Sequence, residues 1–460
     1  MDFPIFHTDF FGNRMLIAAI AILHVIINHS LAVGAAPLVT LLEWRGFRQG
    51  RADWDQLAYR VLRVCFVITT SVGALTGVGI WFSAALVNPA AIGSLIRVFF
   101  MAWLIEWVVF VIEVCLILAY YLSWQSWGQR YKRLHLGLGV LLTVSSWLTM
   151  AIIVAILGFM MHSGRWGAEP GFWNAVLNPI YLPQLAFRTP LAMAAAGLFV
   201  LFLIPFLTAR GDPLRAAAIR FVSLWTLAWM PLCLLGGWWY WDVIPDWMRQ
   251  LYPVALTTME FSDWHRQITV LLGLSSVVIL AVALWGVCFP RWLPRWCLVA
   301  PFVLLVGLLG SYERVREFIR KPFVIHDYLY ANGIRAADYP LFQEEGLLRH
   351  ATYVAHREIT EENRFACGAD VFRLSCTRCH TTRGINGVVQ KFTKLYGREP
   401  WNPDDVQLTL RSMHLSRPYM PPFPGSEAEL DALTHYLCRL QVVPVPLAGD
   451  QARGVPMPSG

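Results

Sequence analysis

Apolar residues gather in long runs over the first two thirds of the chain and give way to a mixed pattern in the last third. Eight runs stand out, near residues 15–42, 58–87, 96–123, 134–161, 185–208, 217–241, 267–289 and 293–312. A bilayer core of about 30 Å takes about 20 helical residues, so each run is long enough to cross one. A soluble helix would show a polar face at helical period. The stretch 267–289 is apolar all round, so the pattern predicts a polytopic bundle of membrane-spanning helices over 1–312. Past Tyr312 the chain becomes charged, beginning SYERVREFIRKPFVIHDYLYANGIR. Residues 313–361 read as a connector of short helices and turns lying along the membrane, and 362–443 as a compact module. The Pro- and Gly-rich tail, 444–460, is expected to be disordered.

Composition sharpens this picture. A chain of 460 residues would ordinarily hold several soluble domains. Charged residues make up only 15% of it, against about a quarter in soluble domains, while 57% is hydrophobic and 21 residues are tryptophan. Arginine and lysine fall in alternate loops: Arg45, Arg48 and Arg51; Arg130, Lys132 and Arg133; Arg210 and Arg215; Arg291 and Arg295. The intervening loops carry little positive charge, which predicts that the basic loops are cytoplasmic and both termini face outward. Trp124 and Trp127 at one face, and Trp238, Trp239 and Trp241 at the other, suit interfacial belts. The opening MDFPIFHTDFFGNRM lacks the basic start and cleavage site of a signal peptide, so the first helix is expected to be retained. The net charge of +7 reflects this topology and gives no sign of nucleic-acid binding.

The most specific motif is Cys376-Thr377-Arg378-Cys379-His380. In C-x-x-C-H two thiols add to the haem vinyl groups and the adjacent His is placed to ligate iron. Half a zinc site would need a second ligand pair, and none follows at suitable spacing. Gly368, Phe372 and Leu374 lead into the motif on an expected helix. Downstream come Tyr419-Met420-Pro421-Pro422-Phe423 and a capping box, Ser426 to Glu429, that opens a last helix. These features resemble a class I cytochrome c domain, small and all-α. The resemblance implies one covalent haem c on Cys376 and Cys379, with His380 and Met420 as the axial iron ligands. Such a pair closes both axial positions, which suits electron transfer. Met413 is the competing thioether, though it falls inside a helical pattern. Haem is attached to this motif outside the cytoplasm in bacteria, in agreement with the charge pattern.

Of nine cysteines, Cys65, Cys115, Cys233, Cys288 and Cys297 lie in or beside spans and read as packing residues. Cys367 and Cys438 lie in the first and last helices of the module, which cross in the class I fold. They are disulfide candidates in an oxidising compartment, or two buried free thiols.

Ionisable residues within spans are costly and point to function. His24 and His29 lie in the first helix, Glu106 and Glu113 in the third, and His135 and His162 at the ends of the fourth. Either histidine of the first helix could hold a membrane haem, and the glutamates, seven apart on one face, could carry protons. The alternative for each is a bond to a neighbouring helix. Arg188 is expected to meet a haem propionate or to snorkel to lipid headgroups. His326, His350 and His356 read as surface residues of the connector.

Residues 13–208 resemble subunit I of cytochrome bd-type quinol oxidases. The stretches that carry this are NRMLIAAIAILHVIINHSLAVGAAPLVTLLE, IEWVVFVIEVCLILAYYLSW, HLGLGVLLTVSSWLTMAIIVAILGFMM and FWNAVLNPIYLPQLAFRT. The resemblance implies His24 as a haem ligand, with Glu106 and Glu113 near the high-spin haem and in proton delivery; the membrane cofactor would be haem b or d. Two departures stand out. The family's low-spin haem takes a His at the start of helix five, where this chain has Phe187, Arg188 and Thr189, and a later Met that is also missing. The long quinol loop is replaced by the short stretch 242–265. Two functions fit: a bd-like oxygen reductase subunit fed through haem c, or a non-catalytic anchor holding a cytochrome in a larger respiratory complex. Both place an electron-transfer cytochrome in the bacterial inner membrane with the module on the periplasmic side. Its partners would be the bilayer, other respiratory subunits and a soluble or membrane-bound redox protein.

Overall fold

A computed structural model describes residues 4–127, 130–257 and 263–442. The tail expected to be disordered, 444–460, lies outside them. Among the described residues, eight helices are long and apolar enough to cross a membrane, as the run pattern predicted: α1 (Asn13–Gln49), α2 (Ala52–Val87), α3 (Pro89–Trp127), α4 (Lys132–Met161), α5 (Tyr181–Leu207), α6 (Pro213–Val243), α7 (His265–Cys288) and α8 (Arg295–Ile319). The helices overrun the apolar runs, because Arg and Asp residues beside the membrane continue them. α1 thus ends only at Gly50, whose φ of 62° supplies the left-handed C-cap.

The buried centre of the bundle is α5, whose Ala192–Leu201 stretch is almost wholly enclosed. α3 lies at the rim, exposing Phe100, Leu104, Trp107, Val108 and Leu122 as a lipid-facing surface. α1 and α2 each contain a π-helical turn, Asn28–Val33 and Thr69–Gly73. Extra residues of this kind re-aim the side chains that follow and gather at functional sites. Gly34, just after the first, lets α1 meet α5: a Cβ there would lie 2.0 Å from the Ala192 carbonyl oxygen. α6 starts on Asp212, whose carboxylate accepts from the Leu214 N–H at 2.8 Å.

α8 continues past Tyr312 to Ile319, carrying its charged residues with it. A short antiparallel hairpin follows, Phe323–Ile325 against Leu329–Tyr330, then a helix at Tyr339–Glu345. The terminal module comprises α9 (Arg364–Ser375), α10 (Val388–Tyr396), α11 (Pro403–Ser416) and α12 (Glu427–Val442). The molecule is therefore all-α in class, a membrane bundle with a small helical module. α9 and α12 cross at Gly368, where a Cβ would sit 2.1 Å from the Ala432 carbonyl oxygen. Glu429 returns to the Ser426 N–H at 2.9 Å, as the capping box predicted. Its carboxylate also accepts from the Leu347 and Leu348 amides at 2.8 and 2.7 Å, clamping the connector to the module.

Candidate functional site

The C-x-x-C-H segment leaves α9 in a tight turn, with the Cys379 and His380 amides bonded to the Cys376 carbonyl at 3.0 and 2.9 Å. His380 Nδ1 lies 3.1 Å from the Asn386 carbonyl oxygen. A carbonyl only accepts, so Nδ1 carries the hydrogen and Nε2 keeps its lone pair for a metal. Burial lowers the His380 pKa to about 4, so the ring is neutral at pH 7. Asn386 itself adopts φ 63° and donates its amide to the Cys379 carbonyl at 2.6 Å. Sequence reading missed it; the turn dipeptide Asn386-Gly387, six residues past the histidine, is the signal that was available. Cys376 and Cys379 are free thiols, the chemistry that thioether attachment needs. Met413 is built into α11 and packs against the module's apolar core. Met420 stands in the turn beyond it, its amide bonded to the Arg417 carbonyl at 2.8 Å. The residues present fit a covalently held haem.

Cys367 and Cys438 are free thiols in this structure. Cys367 turns to the Asn363 side chain (3.4 Å) and the Glu358 carbonyl (3.8 Å) instead of bridging to α12.

The module sits directly on one end of the bundle. Asp9, ahead of α1, accepts from the Thr382 amide at 2.6 Å and from its hydroxyl, and the Ile385 amide bonds the Phe10 carbonyl at 3.0 Å. Gly384 permits this approach, since a Cβ there would lie 2.1 Å from the Asp9 carbonyl oxygen. Burial raises the Asp9 carboxyl pKa, but bonds from His7 and Thr382 outweigh it and hold the group at about 2. Cys379 packs into one apolar cluster with Ala91, Phe99 and Phe159 of the bundle and with Ile325 and Leu329 of the hairpin. Tyr419 meets Phe318 of α8 with ring centres 5.3 Å apart. Arg14 lies over the same Phe318 ring and pairs with Glu317 at 3.1 Å.

Within the bundle, His24 Nδ1 contacts the Thr76 hydroxyl at 3.2 Å, and Gly77 leaves room for its ring. His29 follows the first π turn's start and is fully engaged. Nδ1 donates to the Val25 carbonyl at 3.0 Å, and Nε2 accepts from Arg188 at 3.2 Å. His24 is therefore the better placed of the two for a haem iron. Glu113 accepts from Ser146 at 2.5 Å and Thr149 at 3.0 Å, both on α4, while Glu106 is half-buried two turns further along the same face of α3.

Two expectations are corrected. Arg188 does not snorkel: it is 1% exposed and pairs with Glu313 of α8 at 2.5 Å, beside Arg316 on the same carboxylate at 2.8 Å. His326 is not a surface residue. The hairpin folds it between the rings of His162 and Trp247, at 5.2 and 5.4 Å. His350, by contrast, pairs with Glu345 at the exposed edge, and His356 is exposed.

Residues 13–260 match the family model of cytochrome bd terminal oxidase subunit I, and residues 363–437 that of cytochrome c oxidase, cbb3-type, subunit III. Among solved structures, a bd oxidase from Geobacillus thermodenitrificans aligns with a TM-score of 0.56 at 15% identity. The alignment covers 69% of this chain and 90% of that one, a likeness of fold. No curated protein matches the chain.

Proposed function

We propose, from the premise that the chain belongs to the cytochrome bd terminal oxidase subunit I family, that it is an oxygen reductase subunit fed with electrons through haem c. That it is a membrane-bound respiratory electron-transfer cytochrome follows from the two family matches together; the direction of transfer and the catalytic role are the proposal. In this reading 1–312 form the membrane domain, 313–361 the connector and 362–443 the haem module. The basic loops face the cytoplasm of a bacterial cell, and the module faces the periplasm.

The contact of the C-x-x-C-H segment with the bundle carries the reading. Cys379 shares a core with Ala91, Phe99 and Phe159. An anchor needs only a tether, whereas a module seated by its attachment cysteine shortens the path into the membrane. Haem, when bound, supplies one-electron transfer in the module and oxygen binding in the bundle. The chain's own residues do the rest. Cys376 and Cys379 would hold the haem, His380 and Met420 would ligate its iron, and Asn386 orients His380. Phe318 and Tyr419 pack the junction. His24 is the proposed ligand in the bundle, and Glu113, held by Ser146 and Thr149, the proposed proton donor with Glu106 behind it.

The Arg188–Glu313 pair favours the anchor reading, because it stands where the family's low-spin haem ligand belongs. A pyridine haemochrome spectrum of the purified full-length protein separates the two. Haem b or d beside haem c, with oxygen uptake from a reduced artificial donor, is the expected result. Haem c alone overturns the oxidase. Retention of all non-c haem in His24→Ala removes the ligand assignment.

A further inference from the structure

At the end of the bundle opposite the module, four helices bury a second ionisable cluster. Glu43 of α1 is wholly enclosed, as is Tyr120 of α3; His135 and Lys132 of α4 are nearly so. One oxygen of Glu43 lies 2.6 Å from His135 Nδ1 and 2.7 Å from Lys132 Nζ. The other accepts from the Tyr120 hydroxyl at 2.5 Å. Lys132 also pairs with Asp55 of α2, which accepts from Trp124 Nε1 at 3.3 Å.

The hydrogen bonds locate a proton. His135 Nε2 lies 2.9 Å from the Tyr120 main-chain carbonyl, which only accepts, so Nε2 carries a hydrogen. An ionised Glu43 also only accepts. The 2.6 Å contact at Nδ1 therefore holds a proton as well, either on the ring as imidazolium or on the carboxyl. With that proton, two carboxylates balance one ammonium and one imidazolium, and the buried cluster is neutral.

We propose that the Glu43–His135 pair is a proton-loading station that takes protons from the basic-loop face through Asp55 and Lys132 and passes them inward along α3. This rests on the oxygen-reductase reading, in which each oxygen takes four electrons and four protons to give two waters. Asp55, with 24% of its side chain exposed, is the way in. Tyr120, Glu113 and Glu106 follow at intervals of seven on one stripe of α3, with steps of about 10 Å, the span of a short water chain. For a transfer the Tyr120 hydroxyl turns from Glu43 to the inward side and releases its proton there, its oxygen takes the shared proton through Glu43, and the vacated Glu43–His135 contact reloads from Lys132, which Asp55 reprotonates. Between them Gly139 keeps α4 close, since a Cβ there would lie 2.4 Å from the Thr40 hydroxyl. At the far end Ser146 and Thr149 deliver two donors to Glu113.

Two measurements on the full-length haem-loaded protein test this. Infrared spectra of the oxidised protein should show a ring or carboxyl band of the shared proton that His135→Asn and Glu43→Gln both remove. Wild-type and H135N spectra that superimpose overturn the station, whatever the oxygen chemistry. With a pH-indicator dye, oxidation of the pre-reduced protein by oxygen should draw protons roughly tenfold or more slowly in E43Q, while reduction of haem c by an external donor is unchanged. Asp55→Asn, at a partly exposed site, should slow uptake less and guards against misfolding in E43Q. Wild-type uptake rates in both variants overturn the relay. A wild type that takes up no protons with oxygen overturns the oxygen-reductase reading and the relay's inward role with it, and the infrared result then decides the stored proton alone.

Discussion

The two buried clusters use the same ingredients in opposite arrangements. Near the module, His29 accepts from Arg188 at Nε2 and donates to Val25 at Nδ1, so its ring is neutral and its lone pair is spent. At the far end, His135 faces acceptors at both nitrogens and so shares a proton with Glu43. An arginine beside a histidine closes it to protons and metals; a carboxylate in the same place loads it. The first cluster is a brace between α1, α5 and α8, and the second is built to exchange.

Removing the brace should cost most. Arg188→Leu leaves Glu313 with Arg316 alone and His29 with an unpartnered nitrogen, and is expected to lose about 3–5 kcal/mol of stability in detergent unfolding. A variant as stable as the wild type would dissolve the distinction between the clusters. Glu43→Gln keeps the Tyr120 bond and leaves Lys132 its Asp55 partner, so the expected loss is smaller, about 1–3 kcal/mol, by the same measurement.

The junction with the module gives the smallest effect. Asp9 is held at about 2 against an ordinary 3.8. A lowered pKa stabilises above the unfolded value and is lost as the pH falls through the folded one. Docking of the N-terminal segment should therefore be intact above about pH 4 and released towards pH 2, read as protease access ahead of α1. Asp9 is 38% exposed, so solvent screening brings the contribution of Asp9 to about 1 kcal/mol, which Asp9→Asn should remove.

The spans and the haem motif were legible because each is written locally, in a run of apolar residues or in five consecutive positions. The partners of the buried charges were not. Arg188 meets Glu313 across 125 positions, and nothing near Arg188 in the chain distinguishes a braced arginine from one reaching for lipid. Glu43 reads as the polar end of a helix until α4 brings Lys132 and His135 over it. His326 lies in a charged connector, and only the hairpin's return towards α4 encloses it. Periodicity reports which face is apolar; it carries no record of which distant residue fills a polar gap.

The clasp between Asp9 and Thr382 joins residues 373 positions apart. The Asp9 segment lies ahead of α1, while the loop it grips follows α8, so this contact forms across all the spans described. In the seated module Cys379 packs against an apolar cluster shared by the bundle and the hairpin. The clasp is thus a join between the two ends of the described chain, closed across every span between them.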